Sequence, residues 1–334
     1  MTAVNFDQLF SSLSTVQVGV IGDVMLDTYW WGHVERISPE APVPVVTLDK
    51  KEQRIGGAGN VALNIAALGA NASVFSVIGE DDDGKILAEL FKKNNIDANY
   101  MLNSAQRITT NKSRIISRNQ QMMRLDAEIT NDLNVADEDA LLQQVQRYIE
   151  KKKPDIIIFE DYNKGVLTER VIKEVIAKCR KNNVLTAVDP KRKNFFTYKG
   201  VDIFKPNLKE VKDGLNLLIN EISPEILQHI HRQLQDILQH QISFITLSEK
   251  GVFYQQEDSA RIIPSHIRNV ADVSGAGDTV IAVASLLYAS TKDVGLMAEI
   301  ANIAGGLVCE EVGTAPVNKE RLLKECKLLL RANG

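Results

Sequence analysis

The stretch Val-Gln-Val-Gly-Val-Ile, residues 16–21, is followed at once by Gly-Asp-Val-Met-Leu-Asp, residues 22–27. The first six residues are nearly all apolar, which is typical of a short strand that is buried on both faces. Strands of this kind belong to parallel sheets covered by helices, and such sheets bind their ligands at the carboxyl ends of the strands. The opening of the chain therefore predicts an α/β protein with a site near Asp23 or Asp27.

Strands and helices alternate along most of the remaining chain. The predicted strands cover residues 72–78, 155–159, 184–188, 202–205 and 243–247. The predicted helices cover residues 57–68, 84–93, 137–152, 168–181 and 224–239, and three more begin near residues 277, 293 and 318. This βαβ order predicts a three-layer αβα, doubly wound sheet, which we expect to form one domain over residues 1–334.

Two segments interrupt that alternation. Residues 29–53 contain Pro39, Pro42 and Pro44, and residues 107–128 are polar and roughly alternating. Both are too long for simple loops and are typical of strands outside the main sheet. We expect them to pair into a small β-sheet lid across the carboxyl edge, and its open edge favours a homodimer formed through the lid.

Composition narrows the class of protein. The 334 residues are 44% hydrophobic and carry a formal net charge of -4, which argues against a nucleic-acid partner and leaves anionic small molecules possible. Three widely spaced cysteines lack the spacing of a zinc site or a disulfide framework. The N-terminus shows no signal peptide, and no uncharged run is long enough to span a bilayer. We therefore expect a cytoplasmic protein without a membrane partner.

The octet Asp-Val-Ser-Gly-Ala-Gly-Asp-Thr, residues 272–279, precedes a long apolar helical pattern. Gly275, Ala276 and Gly277 let the backbone turn closely around a ligand, and the free N–H groups of a helix start attract anionic oxygens. A carboxylate beside an anion site suits removal of a proton from an alcohol that attacks a phosphoryl group, which gives Asp278 the role of base. The alternative is that Asp278 is a first-turn acid favoured by the helix dipole.

Two nucleotide-binding patterns are weighed and set aside. Residues 57–62 fit the G-x-G-x-x-A pattern of dinucleotide-binding proteins, but the charged segment 49–54 separates the preceding extended run from the glycines. Residues 79–85 have P-loop spacing, yet Ile86 replaces the serine or threonine that holds Mg²⁺, and the four intervening carboxylates would repel a triphosphate. We interpret the second segment as a turn and a helix start.

Several polar groups follow the predicted strands, and each has a structural alternative. Asp23 or Asp27 could accept hydrogen bonds from sugar hydroxyls or could form a turn. Asn60, after Gly56 and Gly57, is either a ligand amide or a helix cap. Asn207 and Glu210 have capping-box spacing or could belong to a Mg²⁺ and phosphate network. The cations after Asp189 are either a solvated loop or an anion site.

Taken together, residues 22–27, the Gly56-Gly57-x-x-Asn60 pattern, Asn207-x-x-Glu210 and residues 272–278 resemble, in order and spacing, the ribokinase-like (PfkB) family of sugar kinases. The resemblance covers nearly the whole chain. It implies a ribokinase-like fold, ATP and Mg²⁺, with Asp278 as catalytic base and residues 275–278 as anion hole. It also implies that Asn207 and Glu210 belong to the magnesium and phosphate network.

The same resemblance assigns further residues. Along the nucleotide it implies Thr246, Ser248, Glu249, Gly251 and Asn302, with Ser248 standing where much of the family has glycine. It implies a monovalent cation, K⁺, beside Asp272, Ser274 and the loop 308–314.

Three stretches, residues 22–32, 36–45 and 117–126, look like the kinase portion of bacterial enzymes that phosphorylate C1 of D-glycero-D-manno-heptose 7-phosphate, an early step toward the ADP-heptose of lipopolysaccharide. A substrate that already carries a phosphate needs cations far from the catalytic base, and arginine suits bidentate contacts with phosphate. The candidates are Arg118, Arg124, Lys112 and Lys191, and the alternative for the two arginines is a charged lid surface. In bifunctional relatives a nucleotidyltransferase domain follows the kinase, and we expect this chain to perform the kinase step only.

The sequence thus predicts a kinase in which Asp27, Gly57 and Asn60 hold the sugar while Asp278 receives the proton of the attacking hydroxyl. A kinase for another sugar or sugar phosphate is the first alternative. A nicotinamide-dependent oxidoreductase and a non-catalytic sugar-binding protein are the other two.

Overall fold

The computed structural model describes residues 4–118, 120–218, 221–266 and 268–330. The strands are β1 Gln17–Gly22, β2 Val24–Ile37, β3 Pro44–Gly57, β4 Asn71–Phe75, β5 Val77–Gly79, β6 Leu102–Ser104, β7 Asn111–Ser117, β8 Gln120–Ala127, β9 Ile156–Glu160, β10 Leu185–Asp189, β11 Ile203–Phe204, β12 Ile242–Thr246, β13 Val252–Gln256 and β14 Ser259–Ile263. The α-helices are α1 Phe6–Ser12, α2 Ala58–Ala67, α3 Asp82–Lys93, α4 Val135–Lys152, α5 Glu169–Lys181, α6 Leu208–Leu215, α7 Pro224–Leu238, α8 Ala276–Thr291, α9 Val294–Val308 and α10 Lys319–Leu329.

The main sheet has eight strands in the order β14-β13-β12-β11-β10-β9-β1-β4. The six strands from β4 to β12 in that order are parallel, and β13 and β14 form an antiparallel hairpin at one edge. The order reverses between β1 and β9, because β4 lies on one side of β1 and all later strands lie on the other. A doubly wound sheet places its ligand site at such a reversal.

Side chains of the central strands alternate between two apolar cores, one on each face of the sheet. In β9, Ile156 and Ile158 belong to one core, whereas Ile157 and Phe159 belong to the other. The first core also contains apolar side chains of α2, α8 and α9, and the second contains those of α4, α5 and α7. Because both faces of the sheet are covered by helices, the predicted three-layer αβα class is confirmed.

A second sheet has four strands in the order β3-β2-β7-β8, and it contains strands from both segments that interrupt the βαβ alternation. Strand β2 begins at Val24, two positions after β1 ends, so residues 24–27 lie in a strand and not in a turn. The sheet therefore starts from the carboxyl edge of the main sheet. Its role as a lid on a single kinase domain stays a prediction, and residue 119 of the predicted segment lies outside the described residues.

Two further details differ from the sequence prediction. The single strand expected over residues 72–78 is two strands, β4 and β5, separated at Ser76, whose hydroxyl donates a hydrogen bond to the Gly22 carbonyl 2.7 Å away. After this break β5 leaves the main sheet and pairs with β6.

None of the helices in the described residues combines the length and the hydropathy that a membrane span requires.

Candidate active site

Acidic and basic side chains meet at the carboxyl ends of the parallel strands. Strand β9 ends at Glu160 and β10 at Asp189, while Lys205 follows β11 and lies 2.8 Å from the Asp189 carboxylate. All three side chains are buried, and both carboxylate oxygens of Glu160 lack a hydrogen-bond partner within the described chain. Burial raises the pKa of Glu160 well above its usual value, whereas for Asp189 the effect of burial is outweighed by Lys191 and Lys205, which lower the pKa.

Helix α8 begins directly opposite these strand ends. Its N-cap residue, Gly275, has a φ of +78°, and no side chain caps the helix. A Cβ atom at Gly275 would lie 2.8 Å from the amide nitrogen of Asn60, so both the backbone conformation and the space favour glycine. A Cβ at Gly277 would lie 3.7 Å from Asp189 and 3.8 Å from Lys205, which places the first turn of α8 beside this buried ion pair. The uncapped helix start is suited to an anionic group, as the anion-hole prediction for residues 275–278 requires.

Asp278 is buried in the first turn of α8, and other side chains hold both of its carboxylate oxygens. Asn60 donates its amide N–H to Oδ2 at 2.8 Å, and the hydroxyl of Tyr162 donates to Oδ1 at 2.6 Å. Burial raises the pKa of Asp278 to about 6, although the hydrogen bonds from Tyr162 and Asn60 act in the opposite direction. A carboxylate with a pKa near neutrality is well matched to proton abstraction.

Tyr162 is a site residue that the sequence prediction missed. It lies in the turn after β9, and the turn is fixed by Asp23, whose carboxylate accepts the backbone N–H groups of Tyr162, Lys164 and Val166 at 2.9 to 3.0 Å. Both carboxylate oxygens of Asp23 are therefore occupied by the backbone of this turn, whereas Asp27 lies further along β2. The only sequence signal for Tyr162 is its place in a polar turn that follows a buried strand.

Asp27, Gly56, Gly57 and Asn60 lie along β2, β3 and the start of α2. Gly57 has a φ of +59°, and a Cβ there would lie 2.3 Å from the Asp23 carbonyl oxygen, so this position also requires glycine. Gly56 lies opposite Met25 in the β2–β3 pairing. The Asp27 carboxylate accepts a hydrogen bond from Arg114 at 2.6 Å, and Arg114 is a second residue that the sequence prediction missed.

The four predicted phosphate cations fall into two pairs. Lys112 lies 5.5 Å and Lys191 lies 5.6 Å from the ring centre of Tyr162, so both are closer to Asp278 than the sequence prediction expected. Arg118 is exposed in the turn after β7, six strand residues or about 20 Å beyond Lys112, and Arg124 is bound to Asp126 with half of its side chain exposed. The structure thus does not bring Arg118 to the site, and Arg124 already has a carboxylate partner.

Lys112 differs from its neighbours because no carboxylate of the described residues lies within ion-pair distance of its ammonium group. Asp27 is paired with Arg114, and Glu128 is paired with Lys164 at 2.7 Å. Burial lowers the pKa of Lys112, which is the expected effect on a cation whose charge is not balanced. An anionic group of a ligand would supply that balance.

The predicted nucleotide residues lie beside β12. Asn207 and Glu210 form a complete capping box at the start of α6, and Glu210 also pairs with Lys191 at 2.8 Å. The Asn207 side-chain oxygen and both Glu210 oxygens are thereby occupied. These two residues fit a magnesium ion held through water better than direct coordination. Thr246 pairs with Asn207 through the backbone, so these two predicted nucleotide residues lie next to each other.

The turn after β12 contains Ser248, Glu249 and Gly251. Ser248 has a φ of +57°, the left-handed region that favours glycine, which explains why a glycine suits this position. Asn302 lies apart on α9, where its amide donates to the Pro264 carbonyl at 2.9 Å.

The residues assigned to a monovalent cation also meet. One oxygen of Asp272 accepts the N–H and the hydroxyl of Ser274, and the other accepts the N–H of Gly313 at 2.9 Å. The hydroxyl oxygen of Thr314 is buried without a partner in the described part of the chain. An oxygen-lined loop with one unpartnered oxygen fits a hard cation.

A buried carboxylate beside a helix start that no side chain caps, at the switch point of a doubly wound sheet, is suited to the transfer of a phosphoryl group to an alcohol. A family model described as pfkB family carbohydrate kinase matches residues 17–321. The chain belongs to this family and is a carbohydrate kinase.

Relatives and solved structures agree with that assignment. The chain is 37% identical over 96% of its length to "Bifunctional protein HldE" of Geobacter sulfurreducens, and 37% identical over 90% of its length to the protein of the same name from Campylobacter fetus. It spans 64% of the length of each of these relatives. Among solved structures, phosphofructokinase-2 from Escherichia coli in complex with potassium has a TM-score of 0.76 at 18% identity, covering 93% of this chain and 97% of that one. Arabidopsis thaliana ribokinase complexed with ribose and ATP has a TM-score of 0.73 at 17% identity, covering 93% and 99%.

The G-x-G-x-x-A pattern needs a correction. Strand β3 extends to Gly57 and feeds directly into α2, so the charged segment does not separate strand from helix as expected. The pattern fails for another reason, because β3 belongs to the four-stranded sheet and pairs antiparallel with β2, outside the parallel sheet. Membership of the kinase family sets aside both the oxidoreductase and the non-catalytic alternatives.

Proposed function

We propose that this kinase transfers the γ-phosphate of ATP to the C1 hydroxyl of D-glycero-D-manno-heptose 7-phosphate. The observation that carries the proposal is the position of Asp278, buried beside the uncapped start of α8. The relatives named HldE and the three stretches that resemble heptose kinases support the choice of sugar.

The chain's own residues account for the transfer. The sugar hydroxyl, held near Asp27, Gly57 and Asn60, attacks the γ-phosphorus, and its proton passes to the Asp278 carboxylate. As the new oxygen–phosphorus bond forms, the bond from the γ-phosphorus to the bridging oxygen of ADP breaks. The N–H groups at residues 275–278 stabilise charge on the transferring group. Positioning and electrostatics supply most of the rate, and the base contributes a factor of about 10²–10⁴.

The lid strands supply the cations for the phosphate that the sugar already carries. Lys112 is the strongest candidate because its partly buried ammonium lacks a carboxylate partner among the described residues. Lys191 is close to the same ring but is bound to Glu210 and Asp189. We therefore assign the sugar phosphate to Lys112 first, with Arg124 as the next cation along the lid sheet and Arg118 as the least favoured.

Two metal ions complete the proposal. Mg²⁺, held through water near Asn207 and Glu210, would neutralise charge on the phosphates of ATP. K⁺ would lie near Asp272 and Ser274, which is supported by the potassium complex of the related phosphofructokinase-2.

A coupled ADP-release assay with four acceptors tests the substrate: heptose 7-phosphate, fructose 6-phosphate, ribose and unphosphorylated heptose. We expect the highest kcat/KM for heptose 7-phosphate, and a large loss for the unphosphorylated heptose. Lys112→Met should remove most of the difference between the two heptoses, whereas Arg118→Met, the control in the turn after the same strand, should leave it unchanged. A higher kcat/KM for fructose 6-phosphate would identify a different sugar-phosphate kinase.

A further inference from the structure

The turn that carries Tyr162 is held from both sides by buried carboxylates. Asp23 accepts three backbone N–H groups of the turn, as described above. Asp161, next to Tyr162, accepts hydrogen bonds from the hydroxyl of Tyr198 at 2.7 Å and from the amide of Asn194 at 3.2 Å. These contacts tie the turn to β1 on one side and to the segment after β10 on the other. The backbone of Tyr162 is therefore fixed before any ligand binds.

Two cations lie beside the ring of Tyr162. The ammonium groups of Lys112, from the lid strand β7, and of Lys191, from the segment after β10, both lie within 6 Å of the ring centre, a distance at which a cation attracts an aromatic ring. The phenol oxygen is then 2.6 Å from Oδ1 of Asp278. The two residues are 116 positions apart in the chain, so this contact exists only in the folded protein.

We propose that Tyr162 is a positioning residue that orients the carboxylate of Asp278 for proton abstraction, an inference that rests on the proposed function. Tyr162 holds Oδ1, and Asn60 holds Oδ2. Each of these oxygens can still accept a second hydrogen bond, so the carboxylate can also accept one from the sugar hydroxyl. With the phenol removed, the carboxylate can rotate about its own axis, and fewer of its orientations face the acceptor.

The charges around Asp278 give this role a measurable signature. Besides Tyr162 and Asn60, the carboxylate faces Asp189, Lys205 and Glu160 at the neighbouring strand ends. Removing the phenol leaves all of these in place and takes away a donor that stabilises the charged form. Because Asp278 acts as base only when it is ionised, the acid side of the pH–rate profile should move to higher pH.

Tyr162→Phe tests the inference, and Tyr198→Phe is its matched control. Both variants remove a phenol that donates a hydrogen bond to a buried carboxylate, but only the first touches Asp278. For Tyr162→Phe we expect a kcat about tenfold to a hundredfold lower, a KM for ATP within about threefold of wild type, and an acid limb shifted upward by about one pH unit. Tyr198→Phe should keep the wild-type pH profile. Tyr162→Leu, which also removes the ring, should lose at least as much kcat.

Two results would overturn the inference: a Tyr162→Phe enzyme with wild-type kcat and pH profile, or a Tyr198→Phe enzyme with the same upward shift. Circular dichroism and the rise in Tm on adding ATP verify that each variant is folded. Failure of the proposed mechanism can be distinguished from failure of this inference. If Asp278 is not the base, Asp278→Asn retains turnover. If Asp278→Asn is inactive while Tyr162→Phe behaves as wild type, the base stands and only the positioning role fails.

Discussion

At the residue scale, the proposed chemistry depends on one carboxylate, Asp278, whose burial raises its pKa to about 6. Asp278 and Asn60 were both predicted as site residues from the sequence, because glycine-rich turns and helix starts carry a local pattern. Tyr162 and Arg114 were missed because their site contacts join distant parts of the chain. A residue that reaches the site only through tertiary contacts leaves no local pattern in a single sequence.

Asp278→Asn should abolish turnover while leaving substrate binding intact. The amide has the size of the carboxylate but cannot accept the hydroxyl proton, so we expect kcat to fall about 10²- to 10⁴-fold. Steady-state kinetics gives kcat, and the rise in Tm with ATP shows that the nucleotide still binds. Wild-type turnover in a folded variant would remove Asp278 from its role as base.

The left-handed backbone conformation of Ser248 lowers the stability of the fold, and one substitution should remove this effect. A non-glycine residue in the left-handed region is destabilised by about 1 kcal/mol, so Ser248→Gly should raise the free energy of unfolding by up to that amount. Ser248→Ala is the matched control, since it removes the hydroxyl and keeps the backbone penalty. Urea denaturation compares the three proteins, and equal stabilities of the glycine and alanine variants would contradict the argument.

At the scale of elements, the sequence predicted the parallel strands well and the exceptions poorly. The short apolar runs of β1, β9, β10 and β12 are typical of strands in a sheet covered on both faces. The hairpin of β13 and β14 and the break at Ser76 were not predicted. Strand direction and a local exit from a sheet depend on pairing with distant partners, which apolar patterning does not record.

Two buried histidines join α7 to β12 and make stability depend on pH. The Ser243 hydroxyl lies 2.8 Å from Nδ1 of His231 and 2.6 Å from Nε2 of His240. Burial lowers the pKa of His231 and lowers that of His240 to about 3. Both residues are therefore neutral in the folded protein at neutral pH, whereas they take up a proton in the unfolded chain below about pH 6.5.

The contribution of these histidines to stability is complete above about pH 6.5 and decreases as the pH falls below that value, for His240 until the pH approaches about 3. His240 should remove about 1.4 kcal/mol of unfolding free energy per pH unit within that window, and the lowered pKa of His231 adds to the loss. Urea denaturation at pH 7.5, 6.5 and 5.5 measures the loss, and His240→Phe should reduce its slope. His229→Gln, at an exposed position of α7, should keep the wild-type slope. An unchanged slope in His240→Phe would contradict the prediction.

At the scale of the whole molecule, β8 is one of the two edge strands of the four-stranded sheet. All of β8 is exposed at the edge of that sheet, and the exposed fractions of Met123 and Leu125 are 54% and 53%. Exposed strand edges with apolar side chains favour pairing with another chain, which supports the predicted homodimer. The two side chains lie on one face of the strand, so a partner could cover them together.

The double variant Met123→Lys with Leu125→Lys should therefore weaken the dimer. Sedimentation velocity at micromolar concentration should show a dimer for the wild type and mainly monomer for the variant. Ile237→Lys, an exposed apolar position on α7, is the control and should remain dimeric. A wild-type protein that sediments as a monomer would contradict the prediction.

Arg54 of β3 donates hydrogen bonds to the carbonyl oxygens of Val312 and Thr314, at 3.0 and 3.1 Å, and so connects the small sheet to the loop between α9 and α10. This loop lies beside Gly275 at the start of α8, the proposed phosphate site, so a carbohydrate that moves the sheet inward as the predicted lid would also move the loop. The binding of either substrate should raise the affinity for the other. Thermodynamic linkage requires the two affinities to rise by the same factor. Without the Arg54 guanidinium, the affinity for each substrate should no longer depend on the presence of the other.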